Sequence, residues 1–169
     1  MTPLGLLRKL ISGLSENTTP GQIAGGVAFG VIIGLVPKAN LTAQILLVLL
    51  MIFRTNVSVA LVTATLVTLI TPLTDLAANP LGFAVLQAPA LNGMWTKLYN
   101  MPVVPWTDFN NTIVMGSLLI GILLFAPVFV AAKKAAVLYD STYRQKILGS
   151  KFVKALKSSW LCEWYFRVS

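Results

Sequence analysis

The chain contains no histidine, a single cysteine and only five acidic residues in 169. With no histidine and one thiol, Cys162, a zinc site of the usual Cys/His type and an internal disulfide are both excluded. No serine or cysteine has a histidine to activate it, and no two carboxylates lie close together in sequence. The glycine-rich run from Gly21 to Gly34 lacks the Lys-Ser/Thr ending of a phosphate loop and sits in an apolar segment. The expectation is a protein that is not an enzyme, with no catalytic residue, metal or cofactor. Charge is scarce as well: charged residues make up 11% of the chain, against about 25% in a soluble domain. With 56% hydrophobic residues and a mean hydropathy of +0.80, this composition defines a membrane protein, and its length suits one domain.

What charge there is lies unevenly. Eight of the thirteen basic residues follow Ala132, against Asp140 and Glu163. Lys and Arg beside a spanning helix mark the cytoplasmic side, so the C-terminus is expected there. No recognition motif accompanies the basic residues, and nucleic acid is not an expected partner. Within the tail, Leu148, Phe152, Leu156 and Trp160 share one helical face while Lys151, Lys154 and Lys157 fall on another, the pattern of an amphipathic helix on an anionic membrane surface. Residues 2–15 show a similar pattern, with Leu4, Leu7, Leu10, Ile11 and Leu14 opposed to Arg8, Lys9 and Glu16. Those three charges also interrupt what would be the apolar core of a cleaved signal.

Between the tails lies a block met twice. Pro37-Lys38-Ala39-Asn40-Leu41-Thr42-Ala43 is followed 35 residues later by Pro72-Leu73-Thr74-Asp75-Leu76-Ala77-Ala78. In each copy a proline ends an apolar run, and a side chain fit to cap a new helix follows. Residues 20–53 are therefore expected to form one broken, re-entrant hairpin and residues 57–91 a second hairpin or a broken span, with Asn79 as a further cap before Pro80. Leu41–Phe53, at about 1.5 Å per residue, falls well short of a ~30 Å hydrocarbon core. Gly26, Gly30 and Gly34 make a small-residue ridge that lets another helix approach closely. Residues 93–111, with Trp95, Tyr99 and Trp106, are expected as an aromatic loop at headgroup level, and Thr112–Ala132 as a full transmembrane helix. The fold class is thus an all-α integral membrane protein: two short broken hairpins, one full span and an interfacial helix at each end.

Ionisable groups within membrane segments usually pair, face a cavity and serve a pathway. If the two tips meet, Lys38 and Asp75 form a pair and, with Asn40 and Asn79, line a polar pocket. If the tips instead reach the opposite headgroups, Lys38 meets phosphate and Asp75 merely caps a helix. Two topologies remain open. In the preferred one the first hairpin returns to its own side, the second segment passes through and the N-terminus is cytoplasmic; in the other, both hairpins return and the N-terminus lies outside.

The stretch Thr19-Pro20-Gly21-Gln22-Ile23-Ala24 through Ala28-Phe29-Gly30, Gly34 and Pro37, followed by Arg54-Thr55-Asn56 and later Asn79-Pro80, resembles a family of small bacterial membrane proteins catalogued as domain of unknown function 2062. The resemblance covers roughly residues 18–92. It implies a bacterial inner-membrane location and, for the branch with a Pro-Lys-Ala-Asn tip, a larger envelope protein as partner. The leading reading is a protein that handles membrane lipids or lipid-linked anions, with Lys38, Asn40 and Asp75 at the polar break, Arg54 at a headgroup mouth, and Gly26, Gly30 and Gly34 holding the first hairpin closed. The alternative is a scaffold with no transport path, docked through its glycine ridge and basic tail. A third, an ion or solute transporter, needs a polar path that a homo-oligomer would have to supply.

Overall fold

A computed structural model describes residues 18–142, and no strand occurs among them. Helix α1 spans Pro20–Leu35, α2 Leu41–Ile52, α3 Val57–Leu86, α4 Asn92–Tyr99 and α5 Thr112–Thr142. Short 3₁₀ turns occupy Pro89–Leu91 and Val104–Thr107. Contacts divide the chain after Lys133; the described part of the second unit is the last turns of α5. Both expected amphipathic segments, residues 2–15 and the tail carrying Lys151, Lys154, Lys157 and Trp160, lie outside the described residues.

Each of the first three helices begins where its sequence supplies a cap. Thr19 opens α1 with a reciprocal capping box: its hydroxyl accepts from the Gln22 amide at 3.3 Å, and its own amide donates to the Gln22 side chain at 2.9 Å. Asn40 caps α2 by accepting from the Ala43 amide at 2.9 Å, and Asn56 caps α3 by accepting from Val59 at 3.0 Å. The helix, break and helix expected of the first copy of the repeat are therefore present.

The second copy behaves differently. Residues 57–86 form one helix that runs through both Pro72 and Pro80, so no second hairpin is formed, and neither Asp75 nor Asn79 caps a helix. Pro72 has no N–H to give the Thr68 carbonyl four residues back. The Thr71 hydroxyl donates to that carbonyl at 2.7 Å instead, a substitution that lets spanning helices tolerate proline. The first copy does break, because its polar residues act on the backbone in ways the second set cannot. The Asn40 amide donates to the Pro37 carbonyl at 2.9 Å while its oxygen caps α2, and the Asp75 side chain has no N–H to donate in the same way. Lys38 serves the last carbonyls of α1; its counterpart is Leu73.

Helix directions follow from glycine contacts. Gly26 faces Asn56–Ala60, Gly30 faces Ala60 and Thr63, and Gly34 faces Ala64 and Val67, so α1 and α3 run the same way with their backbones close. Thr55 and Phe53, at the far end of α2, return to Gly25 and Phe29 near the start of α1, so α2 runs back along α1. Gly82 meets the Thr112 carbonyl and Gly116 meets that of Ala78, which sets α5 antiparallel to α3. Gly121 then rests on Ile32, and Phe125 packs edge-on to Phe29 at 5.3 Å. The core forms where these helices converge: Ile32, Ile33 and Val36, with Leu46 and Leu50 of α2, Ala60 and Ala64 of α3, and Val114 of α5.

Two helices are long and apolar enough to cross a membrane, Val57–Leu86 and Thr112–Tyr139. Only 11% of the most apolar window of the first and 28% of that of the second is buried, whereas the core helix of a soluble protein would be mostly buried. Leu66, Leu69, Leu73 and Leu76 on α3, and Leu123 on α5, face outward. Helices α1 and α2, at about 24 and 18 Å by their residue counts, are shorter. The segment expected as an aromatic loop is partly helical: α4 carries Trp95 and Tyr99, Trp95 packs on Phe109 at 5.8 Å, and its indole N–H donates to the Val85 carbonyl at 3.3 Å.

The glycine contacts predict a graded response. A Cβ at Gly82 would overlap the Thr112 carbonyl, whereas at Gly93 it would meet nothing within 4 Å. Gly82→Ala should destabilise the protein by about 1–3 kcal/mol or more, read as a lower thermal midpoint in detergent, and Gly93→Ala should leave that midpoint unchanged.

Candidate functional site

The polar residues at the break are held by the helix ends around them. Lys38 is exposed over much of its side chain, but its ammonium turns back and donates to the Gly34 carbonyl at 2.9 Å and the Val36 carbonyl at 2.5 Å. A cation at the carbonyl end of a helix is favoured by the helix dipole. Lys38 lies outside both spanning helices, and partial burial lowers its pKa from the ordinary lysine value. Gly34 O also accepts from the Thr68 hydroxyl at 3.2 Å, which ties the end of α1 to the middle of α3. Asn40, only 7% exposed, spends its amide on the Pro37 carbonyl and the α2 cap. It holds the break in shape and leaves little to offer a ligand. One turn on, Thr42 donates to the Thr107 carbonyl at 2.6 Å, so the 3₁₀ turn next to Trp106 lies against the start of α2.

Asp75 stands apart. It lies on α3 seven residues beyond Thr68, one turn before Ala78 and two before Gly82, where α5 makes its contacts. Its Oδ1 is buried, and neither carboxylate oxygen has a hydrogen-bond or ion-pair partner among the described residues. The direct Lys38–Asp75 pair is therefore not formed: the ammonium is held by carbonyls of α1, and Asp75 lies ~10 Å along α3 beyond Thr68. Asn79 accepts from the Thr112 hydroxyl at 2.5 Å and joins α3 to the start of α5. Ser117, 1% exposed, holds the other buried oxygen without a partner.

Arg54 is exposed at the α2–α3 turn, a full helix length from Lys38, so the two cations do not share a site. Around it, the Asn56 amide donates to the Gln22 carbonyl at 3.0 Å, its side chain reaches Thr18 at 3.4 Å, and the Thr55 hydroxyl donates to the Leu50 carbonyl at 3.3 Å. The Pro-Gly-Gln and Arg-Thr-Asn segments thus knit together the start of α1, the end of α2 and the start of α3. Sequence reasoning gave Gly26, Gly30 and Gly34 the task of closing the first hairpin, but the nearest neighbours of all three belong to the first half of α3 and the residue that caps it, not to α2. It missed Gly82 and Gly116, although Thr74, Ala78 and Gly82 repeat the four-residue spacing of the first ridge and Thr112 precedes Gly116 by the same interval, and Thr71, whose only sign was its place directly before Pro72.

Among the described residues no three His, Cys, Asp or Glu side chains gather in a way that would hold a metal. The fold and this polar break define an all-helical protein with two candidate membrane spans and two opposite charges, Lys38 and Asp75, that have no ion-pair partner among the described residues. The chain belongs to the family described as an uncharacterized protein conserved in bacteria (DUF2062), whose model matches residues 7–145. It is 26% identical over 157 residues to an uncharacterized protein of Treponema pallidum (strain Nichols), across 93% of this chain and 97% of that one. No solved structure matches it.

The proline in α3 yields a measurable expectation. Thr71→Val should leave the Thr68 carbonyl without its donor and cost about 1–3 kcal/mol of stability. Thr65→Val, which removes a second bond to a carbonyl already served by the helix, should cost much less; denaturation in detergent compares the two.

Proposed function

We propose that this is a non-enzymatic protein of the bacterial inner membrane that handles lipids or lipid-linked anions, working with a larger envelope partner. The observation that carries the reading is Lys38: a cation at an exposed turn between two helices too short to span, with no carboxylate to neutralise it among the described residues, beside helices whose large apolar side chains face outward. Such a group suits a phosphate at headgroup depth. Asp75 supplies an opposite charge farther along α3.

Helix directions support an orientation. Since α1 and α3 run one way and α2 and the first turns of α5 the other, Thr18 and Lys133 lie toward one side, and the basic residues in the sequence before and after them favour that side as cytoplasmic. The Lys38 turn and the aromatic segment then face outward and Arg54 faces the cytoplasm. In a Cys162→Ser background, Lys38→Cys and Trp106→Cys should label with an impermeant thiol reagent on whole spheroplasts, and Arg54→Cys only after lysis. Early labelling of Arg54→Cys would overturn the orientation.

A second reading, a scaffold without a lipid path, is favoured by the tight glycine contacts between α1 and α3. Complementation separates the two. If lipids are handled, Lys38→Gln accumulates normally but fails to restore the lipid composition of a deletion strain. If the protein is a scaffold, Lys38→Gln restores it fully and only a bulky residue at Gly30 fails.

A further inference from the structure

Helix α3 changes neighbours partway along its length. From Asn56 to Thr68 it lies against α1, and from Ala78 to Gly82 it lies against α5. Asp75 falls in the interval between these seams, just beyond the point where α1 ends and Lys38 leaves it. Thr68 and Asp75, seven residues apart, lie on nearly the same face of α3, separated by ~10 Å of rise. The Thr68 hydroxyl and the Lys38 ammonium donate to the same Gly34 carbonyl, so the cation lies at the level of Thr68. The two charges therefore stand near one another, of opposite sign, each without an ionic partner among the described residues, and too far apart to neutralise each other directly.

A carboxylate left unpartnered beside a spanning helix is costly, and so is a cation facing a hydrocarbon boundary. A simple anion satisfies only Lys38 and worsens the position of Asp75. A simple cation does the reverse. One molecule carrying both charges a few bonds apart satisfies both. From this arrangement we infer that the lipid accepted here is a zwitterionic aminophospholipid, its phosphate received by the Lys38 ammonium and its primary ammonium by the Asp75 carboxylate. The inference rests on the lipid-handling reading and narrows its substrate from anionic lipids in general to one with a free amine, such as phosphatidylethanolamine. The amine must carry N–H groups, because the carboxylate oxygens lack donors and a quaternary headgroup offers none.

The test uses the full chain, reconstituted into vesicles of equimolar phosphatidylethanolamine and phosphatidylglycerol, then extracted and analysed by native mass spectrometry for retained lipid. The wild type should retain phosphatidylethanolamine over phosphatidylglycerol by roughly tenfold, the scale of one charge-assisted hydrogen bond. Asp75→Asn, nearly isosteric, should bring that ratio close to one without reducing phosphatidylglycerol. Lys38→Gln should lower retention of both. In vesicles where phosphatidylcholine replaces phosphatidylethanolamine, the wild type should retain it no better than Asp75→Asn retains phosphatidylethanolamine. An unchanged lipid ratio in Asp75→Asn, or phosphatidylcholine retained as well as phosphatidylethanolamine, would overturn this inference while leaving lipid handling standing. Retention of neither lipid by the wild type would overturn the lipid-handling reading itself.

Discussion

The close approach of helix backbones at glycine is the constraint on which the remaining structure depends. In hydrocarbon, apolar side chains gain nothing by leaving lipid for one another, so helices associate through contact and hydrogen bonding. Here α3 serves as a common axis. Gly26, Gly30 and Gly34 bring α1 against its first half, and Gly82 with Gly116 bring α5 against its second. Because these contacts are made at backbone distance, they fix direction as well as proximity: α1 lies parallel to α3, and α5 antiparallel. Helix α2 then has one place to return to, and Leu46 and Leu50 complete the core there.

Much of this was legible in the sequence where a residue acts on its own neighbours. The cap at Asn40 and the first glycine ridge are local patterns: the cap forms at the start of α2, while the ridge packs on α3 rather than closing the hairpin. The second break was misread because the pattern preserved proline and a polar residue but not the chemistry that makes a break. Asn40 donates and accepts at once, and Lys38 serves the carbonyls of a helix that ends; Asp75 has no amide to donate and Leu73 has no polar group at all, while Thr71 repairs the helix at Pro72. The pairing of Gly82 with Gly116 joins residues 34 positions apart; Thr74, Ala78 and Gly82 carry the same four-residue spacing as the first ridge, but that spacing does not name the helix that packs on it. The location of Arg54, far from Lys38, follows from helix directions that composition does not encode.

The candidate site shows the same division. Its residue types were readable, since a lysine and an aspartate among apolar runs are conspicuous. Their relation was not, because it depends on α3 remaining whole. A broken second segment would have given Asp75 to a helix cap and satisfied it locally. The unbroken helix leaves its Oδ1 buried and unpartnered, and that difference turns an ordinary capping residue into a charge that needs something else.

The shortness of α2 has a consequence for the bilayer itself. Its outward face, with Ile45, Val48, Met51 and Ile52, presents an apolar band of ~18 Å, while α3 and α5 present bands long enough for a full hydrocarbon core. A protein with so unequal a circumference makes the membrane thinner on one flank than on the other, at a cost of a fraction of a kcal/mol per Å of mismatch. On the proposed lipid-handling reading, a lipid moving along the α2 flank would have less hydrocarbon to cross than one elsewhere around the molecule.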